Sequence, residues 1–218
     1  MHTIQFDFGE RHCMCSFECS HAFGERLRES RRKKWVFDWV PQIYRTSDLD
    51  RLPDPTATKE LLSINDGDAG LSCGSYLYGP TGAGKTRSLI LYLRSEAGEA
   101  DCIYIRGKTL ADGIVSRTRP DGAGGFERWF ERFKYTDQLG IDEFDKLAWS
   151  PRVLSEVFDL IEHRISEQLP LFLVTQCTPD ELARRIAKKA EVKADGAAIA
   201  RRIKEGLKPI WFRRKESL

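Results

Sequence analysis

The sequence has no apolar run that approaches the ~20 residues of a membrane-spanning helix. Its first residues are polar and do not resemble a secretory signal, and it contains no internal repeat or low-complexity tract. Its net charge is only +2, so the overall charge gives no sign of a nucleic-acid partner. We therefore expect a cytoplasmic protein that does not associate with membranes. Six cysteines predict thiols or metal ligands rather than disulfides, since the cytosol is reducing.

A stretch that fits a phosphate-binding loop is present. Residues 79–86 read GPTGAGKT, preceded by the apolar run 76–78 and followed by a helix-compatible run. Small residues let backbone N–H groups converge on a polyphosphate, and the new helix adds its positive end. We expect ATP there, with Lys85 at the β- and γ-phosphates and the Thr86 hydroxyl on Mg²⁺. The predicted nucleotide-binding residues are Gly79, Pro80, Thr81, Gly82, Ala83, Gly84, Lys85, Thr86 and Arg87.

Beyond this loop, short apolar runs alternate with helical patterns. Strands are predicted at 102–105, 139–141, 171–175 and 209–212. Helices are predicted between them, with Ser150 and Thr178 as N-terminal caps. Such alternation is typical of an α/β fold with a parallel sheet covered on both faces. At 218 residues, the chain is long enough for one substantial core and a small appendage.

The predicted strand 139–141 stops on two acids, as a nucleotide hydrolase requires. Asp142 would complete the magnesium site, and Glu143 would act as general base towards the attacking water. The predicted strand 171–175 ends in Thr175 and Gln176. Their side chains either reach between the acids and the γ-phosphate or make ordinary strand-end hydrogen bonds.

The C-terminal part of the chain is basic, with twelve lysines and arginines against five acids from Glu181 onwards. This favours an anionic partner, and it would suit an ATP site between subunits. Arg201 and Arg202 are candidates for an arginine delivered to a neighbouring subunit's γ-phosphate. The alternative is a solvated pair on a helix.

The N-terminal residues differ from the rest. Soft ligands cluster at 12–21, and they predict either a zinc site or a loose arm with free thiols. The basic residues 26–34 run into the aromatics of 35–39, which suits nucleic acid, a protein partner or a solvated helix packed by its aromatics. We divide the chain into this arm (1–40), a linker with one helix (41–70) and an ATPase domain (71–218). The candidate zinc ligands are Cys13, Cys15, Cys19 and His21.

The order of these motifs resembles the AAA+ ATPases of the DnaC/IstB type, which are replicative-helicase loaders and transposition helpers. The resemblance covers about residues 41–214 and is most specific at 137–144, which read DQLGIDEF. It implies a five-stranded AAA+ sheet, Walker A and B motifs at 79–86 and 142–143, sensor 1 at 175–176, and an arginine finger at Arg202. It also implies contact with single-stranded DNA, grip on the helicase by an N-terminal segment, and nucleotide-dependent homo-oligomers. Because six residues follow Phe212, we expect no C-terminal helical lid.

Three functions are compatible with the sequence. The leading hypothesis is an ATPase that loads or remodels a replicative helicase or a transposition complex, weak alone and stimulated by DNA or its partner. The alternatives are a small-molecule or nucleoside kinase and a nucleotide switch that acts as an adaptor without hydrolysis. The residues expected along single-stranded DNA are Lys108, Arg117, Arg119, Arg128 and Arg132.

Overall fold

The computed structural model describes residues 2–4, 11–13, 40–45, 48–49, 52–65, 74–117, 125–190 and 193–214. Five of its strands form one parallel sheet in the order β4-β5-β6-β3-β7, and the remaining two, β1 and β2, pair antiparallel. The predicted five-stranded parallel sheet is therefore confirmed. The strands are β1 (His2–Ile4), β2 (Arg11–Cys13), β3 (Gly74–Tyr78), β4 (Cys102–Arg106), β5 (Gln138–Asp142), β6 (Leu171–Val174) and β7 (Lys208–Trp211).

Helices cover both faces of the sheet, as predicted. Apolar residues of α1 and α2 pack on one face, and those of α3 to α7 pack on the other. Short 3-10 turns occur at Gln42–Tyr44, Ser63–Asn65 and Phe144–Lys146. The α-helices are α1 (Pro55–Leu62), α2 (Lys85–Glu96), α3 (Gly107–Arg117), α4 (Phe126–Tyr135), α5 (Pro151–Ser166), α6 (Pro179–Ala190) and α7 (Lys193–Gly206).

The predicted helix starts are confirmed by their hydrogen bonds. The Ser150 hydroxyl accepts from the Val153 N–H at 3.3 Å, which caps α5. At the start of α6, the Glu181 carboxylate accepts from the Thr178 N–H at 2.8 Å, and the Glu181 N–H donates back to the Thr178 hydroxyl at 3.3 Å. These reciprocal bonds satisfy donors that a helix N-terminus otherwise leaves without a partner.

The segment predicted as a linker contains α1, which packs on the sheet. Leu61 is fully buried, and the Thr58 hydroxyl lies 2.7 Å from that of Ser88 in α2. The Asp54 carboxylate caps α1 through Ala57 and also accepts from the Arg213 N–H at 2.8 Å, just after β7. This helix is therefore bound to the core at both its start and its centre. The division of the chain at residues 40 and 70 stays a prediction.

Several predicted features fall outside the described residues. Cys15, Cys19, His21, the basic and aromatic stretch 26–39, and Arg119 are among them. Cys13 ends β2, which the sequence did not predict as a strand. Among the residues whose side chains are described, no cluster of three histidine, cysteine or acidic residues could hold a metal. Within the same part of the chain, no helix has the length and apolarity to cross a membrane.

Candidate functional site

The phosphate-binding loop connects the end of β3 to the start of α2. Gly82 and Gly84 have φ values of 82° and 93°, in the left-handed region where a glycine carries no steric penalty. Gly84 directly precedes the helix, so the first N–H groups of α2 face the loop and are available to an anion. The sequence therefore produces the strand, loop and helix that a phosphate site requires.

Lys85 is the first residue of α2, and its ammonium group is held by the loop itself. Its Nζ donates to the carbonyl oxygens of Gly79 and Pro80, both at 2.7 Å. Burial lowers the pKa of Lys85, whereas the nearby carboxylates of Asp142 and Asp145 oppose that shift. The lysine is thus partly desolvated and bonded to neutral acceptors, which a phosphate could replace with a stronger, charge-assisted bond.

Asp142 ends β5, and its carboxylate is 4% exposed. It accepts hydrogen bonds from three groups: the Tyr104 hydroxyl at 2.8 Å, the Glu143 N–H at 2.8 Å and the Thr86 hydroxyl at 3.1 Å to each oxygen. Burial raises the pKa of Asp142, and these three bonds act in the opposite direction. The structure therefore brings the two predicted magnesium ligands, Thr86 and Asp142, into direct contact.

These two side chains fit Mg²⁺. Hydroxyl and carboxylate oxygens are the hard ligands that this ion prefers, and it is usually held by one or two protein groups together with substrate phosphates. Thr86 and Asp142 converge from α2 and β5 at the rim of the loop, where such a pair would meet a bound polyphosphate. The donor chemistry therefore agrees with the predicted metal.

Glu143 has a backbone conformation that is rare for a residue with a side chain. Its φ and ψ are 53° and 40°, a left-handed geometry at the turn after β5. Its carboxylate accepts from the Lys146 ammonium at 2.5 Å, and this hydrogen bond raises the pKa of Lys146. The predicted general base is thus held by a neighbouring lysine, and its backbone strain of about 1–3 kcal/mol is typical of functional sites.

The end of β6 contributes the other two predicted residues. Thr175 is buried, and its hydroxyl donates to the Cys177 carbonyl at 2.8 Å, which agrees with an ordinary strand-end hydrogen bond. Gln176 is exposed at the same edge. Both line the nucleotide cleft, so of these two the amide of Gln176 is the more available to a ligand.

These parts enclose one cleft of about 410 Å³. Its walls come from the phosphate-binding loop, the turn after β5, the end of β6, and Tyr44 and Pro53 from the N-terminal side. The loop residues Gly79, Pro80 and Ala83 are not among its lining residues. The predicted residues that line it are Thr81, Gly82, Gly84, Lys85, Thr86, Arg87, Asp142, Glu143, Thr175 and Gln176.

The arginine pair of α7 does not line this cleft. Arg202 donates to Glu162 of α5 at 2.7 Å and to Glu205 at 3.3 Å. Arg201 is more exposed, with its Nε 3.8 Å from Glu205. Within one copy of the chain, the predicted finger is therefore engaged by carboxylates of its own subunit.

Four of the five residues predicted to contact DNA lie on α3 and α4, and Arg119 falls outside the described residues. Lys108 and Arg128 are exposed, whereas Arg117 and Arg132 line a groove of about 760 Å³. The Arg117 guanidinium lies 4.6 Å from the centre of the Trp129 ring. This groove, which we call the arginine groove, is lined by Val40, Pro41, Ile103, Tyr104, Ile105, Arg106, Thr109, Asp112, Gly113, Ser116, Arg117, Trp129, Arg132 and Phe133.

The sequence did not identify Lys146, Asp145 or Tyr104 as residues of this site. Lys146 follows Glu143 by three residues, and this spacing could have indicated that the two side chains form an ion pair. Asp145 also lines the cleft and pairs with Arg185 of α6 at 3.0 Å. Tyr104 gave no sequence signal, because its contact with Asp142 depends on β4 and β5 being neighbours in the sheet.

Comparison with known proteins supports the resemblance to helicase loaders. No family model matches the chain. It is 29% identical over 149 residues to the replicative helicase loader DnaI of Bacillus subtilis, a match that spans 63% of this chain and 45% of that protein.

Solved structures share the fold, and two of them illustrate the similarity. A DnaI crystal structure is 18% identical with a TM-score of 0.59, over 83% of this chain and 94% of that one. The replication initiator DnaA, solved with AMPPCP and single-stranded DNA, is 17% identical with a TM-score of 0.59, over 81% and 51% of the two chains. The chain has the AAA+ P-loop fold, and its resemblance to the helicase loaders of the DnaC/IstB type is confirmed.

Proposed function

We propose that this protein is an ATPase that loads or remodels a replicative helicase, or a related replication or transposition complex, on DNA. The observation that carries the proposal is the convergence of Lys85, Thr86, Asp142 and Glu143 on one cleft. The sequence match to DnaI supports a role in helicase loading. The cytoplasmic location and the zinc site remain predictions from the sequence.

The proposed reaction uses groups whose present partners can be replaced. Lys85 would exchange two loop carbonyls for the β- and γ-phosphates, and Thr86 would turn its hydroxyl from Asp142 towards the metal site. When bound, Mg²⁺ neutralises charge on the phosphate oxygens. Glu143 would leave Lys146 and accept a proton from the attacking water. Gln176 would orient that water or the γ-phosphate from the end of β6.

The proposed assembly is a nucleotide-dependent homo-oligomer in which Arg202 of one subunit reaches the γ-phosphate of the next. In a single copy Arg202 is paired with Glu162 and Glu205, so assembly would have to exchange these partners for phosphate oxygens. Such an exchange agrees with the weak ATPase activity that we expect of the isolated chain. Single-stranded DNA would follow Lys108, Arg117, Arg119, Arg128 and Arg132.

The test measures phosphate release from ATP with and without a single-stranded oligothymidylate. We expect Glu143→Gln to reduce turnover at least about 100-fold, the usual contribution of a general base. Arg202→Ala should abolish the stimulation by DNA, whereas Arg201→Ala, its matched neighbour, should retain it. Turnover that ignores both DNA and Arg202 would reject the assembly. Transfer of the phosphoryl group to a small acceptor, without dependence on DNA, would favour a kinase.

One observation favours the nucleotide switch as a second candidate. Glu143 is paired with Lys146 through one carboxylate oxygen, so Lys146 competes with the attacking water for that carboxylate. A switch would bind ATP in the same cleft and show no turnover even with DNA and the partner helicase present. The same measurements on the wild type distinguish it from the ATPase.

A further inference from the structure

Tyr104 is a buried residue that links the arginine groove to the nucleotide site. It lies in β4, at the edge of the sheet, and it lines the arginine groove. Its hydroxyl reaches across to the neighbouring strand and donates to Asp142 at 2.8 Å, although Tyr104 itself does not line the nucleotide cleft. A single residue, 6% exposed, thus connects the groove with the carboxylate of the proposed magnesium site.

The Tyr104 hydroxyl is a permanent donor. Burial raises the pKa of Tyr104 above its ordinary range, and the nearby Asp142 carboxylate acts in the same direction. The phenol therefore stays protonated near neutral pH, and in this structure its proton is donated to Asp142. Since a hydrogen bond to an ionised carboxylate is among the stronger ones in proteins, this bond helps to fix the orientation of Asp142.

On the groove side, the charged neighbour of Tyr104 is Arg106. It is exposed at the end of β4, two residues after Tyr104 and on the same side of the strand, and both residues line the groove. Arg106, Arg117 and Arg132 together give the groove three positive charges, and Asp112 is the acid that lies among them. A bound phosphate backbone would attract the Arg106 guanidinium and change its position next to Tyr104.

We infer that Tyr104 is a positioning residue through which single-stranded DNA in the arginine groove alters the orientation of Asp142, and hence the binding of Mg²⁺-nucleotide. The inference rests on the proposed function for its two ligands and adds the residues that connect them. The connection runs from Arg106 through Tyr104 to Asp142 and Thr86. Thermodynamic linkage requires the effect to be reciprocal, so bound nucleotide changes DNA affinity by the same factor.

The experiment measures this factor directly on the full chain. A fluorescent oligothymidylate is titrated with and without AMPPCP and Mg²⁺, and the ratio of the two dissociation constants is the coupling. We expect a ratio of about fivefold or more for the wild type. Tyr104→Phe removes only the hydroxyl and should bring the ratio close to one. The affinity without nucleotide serves as the reference for each variant.

The matched control is Tyr76→Phe. Tyr76 is also buried, and its hydroxyl also makes a 2.8 Å hydrogen bond, but to the Cys177 carbonyl rather than to Asp142. This variant should keep the wild-type ratio. Arg106→Gln should weaken oligonucleotide binding and also reduce the ratio, because it removes the groove end of the connection.

The possible results distinguish the role of Tyr104 from the proposed function. If the oligonucleotide binds the wild type but the ratio is one, or if Tyr104→Phe keeps the wild-type ratio, the inference is wrong while the proposed function stands. If Tyr76→Phe loses the ratio as fully as Tyr104→Phe, the effect is general destabilisation and the role of Tyr104 is rejected. If the oligonucleotide does not bind at all, the DNA part of the proposed function fails and the inference fails with it.

Discussion

The two ends of β5 both adjoin buried charged groups, but these groups have different kinds of partner. At its start, the fully buried Arg164 guanidinium of α5 donates to main-chain carbonyls, including those of Phe133 at 2.8 Å, Thr136 at 3.0 Å and Pro170 at 2.6 Å. At its other end, Asp142 accepts from hydroxyl groups and one N–H. Main-chain carbonyls cannot move away without unfolding, whereas hydroxyl groups can rotate to a ligand. The first end is therefore structural, and the second can exchange partners.

The largest effect is expected at the structural end. Arg164→Met should lower the free energy of unfolding by about 3 kcal/mol or more, because it leaves several buried carbonyls without a donor. Urea denaturation measures the change. Arg152→Met, in the same helix, removes a surface pair with Glu156 and a contact with the Phe126 ring, and should stay within about 1 kcal/mol. Equal stability of the two variants would contradict the structural role of Arg164.

The second-largest effect is expected at Lys85. Lys85→Ala should weaken binding of a fluorescent ATP analogue about 100-fold, as expected for loss of one partner of a desolvated charge pair. Its unfolding free energy should change by no more than about 2 kcal/mol, because only one of the two carbonyls that it leaves, that of Gly79, is in a buried contact. Lys108→Ala, on the exposed side of α3, controls for the loss of a positive charge. A variant that unfolds instead of losing affinity would show that Lys85 is structural.

Asp142→Asn should have opposite effects on the stability of the fold and on nucleotide binding at the Asp142 end of β5. Burial raises the pKa of Asp142, so the folded protein bears a penalty for its charge at pH values above that pKa. In EDTA and without nucleotide, the variant should therefore melt at a higher temperature than the wild type near pH 7. The gain should shrink as the pH falls through the raised pKa towards the ordinary value, where the wild-type carboxyl is protonated.

The same variant should lose the Mg²⁺-dependent part of nucleotide binding. Asp112→Asn, an exposed substitution in α3, provides the reference melting temperature. If Asp142→Asn melts below the wild type at pH 7, the carboxylate stabilises the fold and the contrast between the two ends of β5 is weaker than we infer.

Local patterns were enough to predict most of this architecture. The loop 79–86, the acids after β5 and the caps Ser150 and Thr178 are set by residues adjacent in the chain. Contacts between strands were not predictable in this way. In the order β4-β5-β6-β3-β7, strands that are adjacent in the sheet can be far apart in the sequence. Tyr104 was missed for that reason.

Arg164 had a signal that could have been recognised. It follows Val157 by seven residues and Ile161 by three, so it occupies the apolar stripe of α5. A charged residue at such a position either lies where the apolar stripe is interrupted and is exposed, or is buried and bonded to polar groups. The structure shows the second case, in which carbonyls from the end of α4 and the start of β5 provide the partners. Only the three-dimensional arrangement supplies those carbonyls.

The smallest effect is expected at Lys146, which holds Glu143. The pair is half-exposed, so Lys146→Met should change the unfolding free energy by less than about 1 kcal/mol. It should instead raise ATP turnover a few-fold, because the Glu143 carboxylate no longer has to leave a lysine before it can act on water. Steady-state phosphate release, with Arg152→Met as the control, measures this change. A fall in turnover would indicate that Lys146 binds the nucleotide. The cleft would then contain two phosphate-binding lysines, Lys85 and Lys146, and Lys146 would not act by restraining Glu143.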